Sequence, residues 1–142
     1  MTREEVRKRI SKNGVPLENP DTFIWREKER ILSIDENGIV INFSGVNNCK
    51  IFASRNSTII TGDDCEIDTG SECNIITGDD CKIKTSSLCS FNVGNNCSFS
   101  TSDYCNFVSG RMCNFKTGSF CVFDSGSACT FTTKDNCTFK TK

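Results

Sequence analysis

From residue 49 onward the apolar positions keep a beat of eight. Cysteine marks it at Cys49, Cys65, Cys73, Cys81, Cys89, Cys97, Cys105, Cys113, Cys121, Cys129 and Cys137, and Ser57 fills the one missing rung in phase. Two places after each rung stands a large apolar residue. It is Ile51, Ile59, Ile67, Ile75 and Ile83, then Phe91, Phe99, Phe107, Phe115, Phe123, Phe131 and Phe139. Two further on comes a small residue, usually Thr, then Gly or Ser, so the octad reads C-x-[I/F]-x-T-G-x-x. Positions 1, 3 and 5 are regular, and positions 2 and 4 are mostly polar. That alternation predicts a strand with one buried face. Positions 6 to 8 carry Gly, Ser, Asp and Asn, which favour turns. Each octad is thus a short strand and a corner, and the strict period predicts stacked identical units.

A second period sets the coil. Ile59-Ile60-Thr61-Gly62-Asp63-Asp64 recurs unchanged as residues 75–80, sixteen places on. Position 6 is Gly in every alternate octad, at Gly62, Gly78, Gly94, Gly110 and Gly126. In the octads between, position 8 gives Leu88, Tyr104 and Phe120, again sixteen apart. Two unlike corners alternate, which predicts an all-β, two-sided β-solenoid with two octads per coil. A three-sided coil would mix the two corner classes. An intertwined trimeric needle, as in phage membrane-piercing spikes, shares the period but builds on Val and Gly. In the two-sided coil Cys faces Thr across the core and Phe faces Phe.

Residues 1–48 lack the octad and predict a small α/β cap, with the solenoid over 49–142 and its phase traceable back to Ile41. Residues 3–11 read as a helix, capped by Thr2 with Glu5 and ended by Asn13-Gly14. Residues 31–34 and 39–43 flank Asp35-Glu36-Asn37-Gly38, a hairpin signal. Phe23 and Trp25 are candidates for the cap core, which would cover the first coil and block end-to-end pairing.

Eleven cysteines could mean disulfides, metal or packing. The chain has no C-x-x-C pair and no histidine, and a constant step of eight is what a packing position produces. Free, buried thiols are expected, with no cofactor. The net charge of -1 draws the chain neither to nucleic acid nor to a membrane surface. No apolar run is long enough to span a bilayer. The charged start, Met1 to Glu5, does not resemble a signal peptide, so a reducing cytoplasm is the expected compartment.

Three surface features are candidates for function. Stacked corner acids Asp63, Asp64, Asp79 and Asp80 form a weak Ca²⁺ candidate, set against their ordinary use in turns. An apolar corner column, Leu88, Tyr104 and Phe120, and an uncharged strand face bearing Ile60, Ile76 and Val108 predict an interface. Charge is also segregated: residues 57–80 hold seven acids and no Lys or Arg. An acidic solenoid could imitate nucleic acid, as pentapeptide-repeat inhibitors do.

Strings such as Cys113-Asn114-Phe115-Lys116-Thr117-Gly118-Ser119 and Asn136-Cys137-Thr138-Phe139-Lys140-Thr141 resemble the cysteine octapeptide repeats of small tailed-bacteriophage proteins. The resemblance covers residues 49–142. It implies a β-solenoid of phage or prophage origin in the host cytoplasm, and it brings no catalytic residues. The expected function is a non-enzymatic accessory or structural protein that forms a homo-oligomer, a dimer above all, and binds a host or virion partner. The alternative is an inhibitor or anti-defence protein. It would sequester a host factor or small ligand at an oligomer interface, or mimic nucleic acid. Neither membrane nor nucleic acid is an expected partner.

Overall fold

A computed structural model describes residues 1–142, the side chain of Pro20 excepted. The chain winds as a two-sided β-solenoid. One sheet has eight strands and the other nine, and from Ile31 onward sequence neighbours alternate between them. Strands Glu66–Thr69, Lys82–Lys84, Ser98–Ser100 and Asn114–Lys116 stack in parallel on one side. Strands Asn74–Ile76, Ser90–Asn92, Asn106–Ser109 and Val122–Ser125 stack on the other. The register steps by sixteen: Glu66 pairs with Lys82, and Lys82 with Ser98. Two octads per coil is therefore the observed repeat, and Cys65 lies beneath Cys81.

The core is a column of rings and thiols. Phe91 stacks on Phe107 with centroids 4.6 Å apart and planes 5° apart. Across the core Phe91 meets Phe99 edge-on at 5.4 Å and 74°. Both geometries are favoured for aromatic pairs. The alternation continues through Phe115, Phe123, Phe131 and Phe139. Burial fades in the last coil, where Phe139 is exposed and Cys129 and Cys137 are half-buried.

The cap differs from the sequence reading in three places. The helix is shorter, Arg3–Arg7, although its Thr2–Glu5 capping box forms as expected. Ile10–Lys12 is a strand, drawn into pairing with Ile39–Ile41 because Ile10 buries fully beside them. Asn13 and Gly14, both with positive φ, then make the tight turn of a hairpin to Val15–Pro16. Second, residues 31–34 and 39–42 are not a hairpin. They lie in opposite sheets and form the first coil, stacked in parallel on Lys50–Ala53 and Thr58–Ile60. The parallel stack thus begins at Ile31, ahead of the octad pattern. Third, the hairpin partner of Ile31–Ile34 is Phe23–Arg26. Phe23 is buried and Trp25 half-buried, with Trp25 edge-on to Phe43 and its indole N–H donating to Met1 O at 2.8 Å. The cap's three antiparallel strands close the leading edges, Ile10–Lys12 and Val15–Pro16 on one sheet and Phe23–Arg26 on the other, where unpaired strands would otherwise invite association.

Candidate functional site

Every corner closes through the same backbone conformation. The residue before each cysteine has positive φ, from Asn48 at 53° to Asn136 at 57°. Asn and Asp tolerate this region best after Gly. Asn48, Asn56, Asp64, Asp80, Asn96 and Asn136 meet that preference. Glu72 (61°), Leu88 (61°), Tyr104 (59°), Met112 (56°), Phe120 (58°) and Ala128 (60°) do not. Each costs about 1–2 kcal/mol in this conformation.

Those costly residues are not there to fill the core. Leu88, Tyr104, Met112 and Phe120 are all exposed, at 56%, 53%, 57% and 47%. Tyr104 and Phe120 stack ring on ring at 5.0 Å and 4°. The corner column read from the sequence is thus a solvent-facing ladder with strained backbone. Its strain went unread, although the phase with Asn48 and Asn96 would have disclosed it. Met112, on the other edge, was also missed. Of the strand-face candidates, Val108 is exposed and Ile60 and Ile76 are half-buried. They share one sheet with exposed Val122. The ladder corner joins both sheets: Ser90, Asn106 and Val122 are the residues of this face nearest to it, whereas Ile60, Ile76 and Val108 stand at the strand ends that lead into the Gly corner.

The corner acids have a structural task. Asn47 Oδ1 accepts from Asp63 N–H at 3.0 Å, Asp63 Oδ1 from Asp79 N–H at 2.9 Å, and Asp79 Oδ1 from Asn95 N–H at 2.7 Å. Each carboxylate satisfies a backbone donor one coil on. A Cβ at Gly78 would collide with Asp63 Oδ1, and one at Gly94 with Asp79 Oδ1. The Gly and Asp columns therefore require each other. Asp64 and Asp80 line a groove with Glu29, Lys50, Glu66 and Lys82, where the lysines offset the acids. Among the described residues no three acidic, Cys or His side chains are placed to share an ion. Of the Ca²⁺ candidate Asp63, Asp64, Asp79 and Asp80, the first and third thus cap backbone donors, and Asp64 and Asp80 hold the positive-φ corner positions.

The thiols are also engaged in packing. Cys97 Sγ lies 3.4 Å from Asn95 O and 3.5 Å from Gly78 O. Ser57 Oγ donates into its corner in the same way, to Ser54 O at 3.0 Å, which explains why serine can hold a cysteine rung. All eleven cysteines are unpaired. Burial pushes the Cys121 thiol up. Cys49 and Cys65 share a hydrogen bond at 3.3 Å that raises Cys49 and lowers Cys65.

The opposite sheet is charged and self-paired. Lys50 meets Glu66 at 2.6 Å and Lys84 meets Asp68 at 3.3 Å, each pair spanning adjacent rungs. The acidic stretch is thus partly neutralised in place. No described helix is long and apolar enough to cross a membrane. Comparison with known proteins returns no match to a family model, a curated protein or a solved structure.

Proposed function

We propose that this chain is a non-enzymatic scaffold protein of a tailed bacteriophage, which self-associates and presents a rigid solenoid surface to a host or virion partner. The observation that carries the reading is the ladder Leu88, Tyr104 and Phe120: large, exposed apolar side chains held where the backbone disfavours them. Strain of this kind persists where function retains it. The neutral sheet beside the ladder extends the same surface, and a flat exposed β face is a natural site of association. The octad strings support phage origin through their resemblance to phage repeats. Eleven unpaired thiols fit a reducing host cytoplasm.

The test is the mass of the purified chain by light scattering on a sizing column. A homo-oligomer, with a dimer as the first expectation, supports the scaffold reading. A monomer at tens of micromolar contradicts its self-association.

A further inference from the structure

We infer that the Leu88–Tyr104–Phe120 ladder is a two-fold dimer contact in which two solenoids lie side by side and run in opposite directions. This rests on the self-associating reading above and specifies its surface and symmetry. The two-fold axis crosses the edge at the level of Tyr104. Successive ladder residues are one coil apart, about 4.8 Å, so the axis sets Tyr104 on Tyr104, and Leu88 on Phe120 of the second copy.

At the ends of the ladder charge favours this direction, while Asp103 beside the axis meets its own copy in either direction and does not discriminate. One coil beyond Leu88 the same edge carries Glu72, and one coil beyond Phe120 it carries Lys134 and Asn136. Both Glu72 and Lys134 are exposed, and neither has an ion-pair partner among the described residues. The antiparallel axis brings Glu72 to the corner holding Lys134 of the second copy. Arg55, one coil past Glu72, comes within reach of Asp135 in that corner. A parallel pairing would also match Leu, Tyr and Phe with themselves. It would set Glu72 against Glu72, a like-charge contact that costs affinity.

The flanks agree. The antiparallel axis brings like sides together. On the neutral side Ser90 faces Val122, and Asn106 faces itself, with no charge to desolvate. On the other side Lys84 would face Lys116, so the contact tilts toward the neutral sheet. An edge of this width buries on the order of 1,000 Å² in total, the lower bound for a specific interface. A reversible dimer with a micromolar dissociation constant is expected.

The experiment is sedimentation velocity of the full chain across a concentration series, with four variants. Tyr104→Asn uses the residue that fills the same slot at Asn56 and Asn136, so the fold should persist, checked by a strand-type circular dichroism spectrum and cooperative unfolding. It should sediment as a monomer. Glu72→Lys and Lys134→Glu should each weaken the dimer by roughly threefold. The double variant should return to near the wild-type constant. A dimer indifferent to Tyr104→Asn overturns this contact while leaving self-association standing. Charge variants without effect, or a double variant weaker than either single one, overturn the antiparallel direction. A chain that is monomeric throughout overturns both this contact and the self-association beneath it.

Discussion

Asp79 Oδ1 accepts the backbone N–H of Asn95 at 2.7 Å, sixteen residues and one coil away. The same relation joins Asn47 to Asp63, Asp63 to Asp79 and Asn95 to Arg111, so one corner column staples five successive coils. It also explains the alternate glycines, because the accepting oxygen occupies the space a side chain would need.

Clash and staple share one atom in neighbouring columns, so their mutations should not add. Gly78→Ala is expected to cost about 1–3 kcal/mol, as an overpacked site does. Asp63→Ala should cost about 1–2 kcal/mol for the lost acceptor. Urea unfolding of the double variant should show less than the sum, because removing the Asp63 carboxylate opens the space the new methyl needs. Strict additivity would show that the Asp63 oxygen does not constrain Gly78.

The aromatic column dominates stability at its middle and contributes little at its end. Phe107 is sandwiched by stacking on Phe91 and Phe123 and is buried. Phe107→Ala is expected to cost about 3–5 kcal/mol. Phe139→Ala, at an exposed position, should cost well under half of that. Denaturant midpoints of the two variants give the comparison directly.

The thiols predict an alkaline limit. Cys49, Cys73, Cys81, Cys89, Cys97 and Cys121 are raised above the ordinary thiol value near 9.0, while Cys65, Cys105 and Cys113 are lowered. Hydrogen bonds between successive thiols account for most of these shifts, and burial adds to the raised set. A group raised in the folded state stabilises it below the unfolded value and loses that contribution as pH climbs. The lowered set acts in the opposite sense but is smaller. Stability at fixed denaturant should therefore fall above about pH 9. A flat profile from pH 8 to 10.5 would count against buried neutral thiols.

Thiol access should follow the fading burial of the last coil. A short alkylation pulse on native, reduced protein should label Cys129 and Cys137 first, since the other nine are buried. Intact mass should pass through a two-adduct species before denaturant exposes the rest. Uniform labelling of all eleven would contradict the packed ladder.

The repeat was legible because its residues do one task each. Position 3 must fill the core, position 1 must be small and able to donate into a corner, and the unlike corners at Gly62 and Leu88 revealed two octads per coil. The first coil was not legible. Asp35 to Gly38 is good turn chemistry, but a turn signal cannot tell whether the next strand returns to its own sheet or crosses to the opposite one. The local propensity of Ile10 suits a helix as well as a strand, and its burial with Ile39 and Ile41 selects the strand. The corner acids read as turn residues, with a cation site only a weak candidate, but their capping role was not legible. A stacked carboxylate column looks like a cation site until the backbone donors of the next coil are placed against it. The glycine one coil on, at Gly78 for Asp63, was the signal that the space was already taken.

Tyr104 is the chain's single tyrosine, and it sits at the centre of the surface on which the account depends. Met112 is as exposed, but on the opposite edge of the solenoid. Hydroxyl-radical footprinting, read residue by residue by mass spectrometry across a concentration series, compares the two in one sample. Oxidation of Tyr104 should fall as the protein is concentrated into the tens of micromolar, while that of Met112 stays constant. Equal reactivity of Tyr104 at all concentrations would contradict the assignment of the ladder as the surface through which this chain associates.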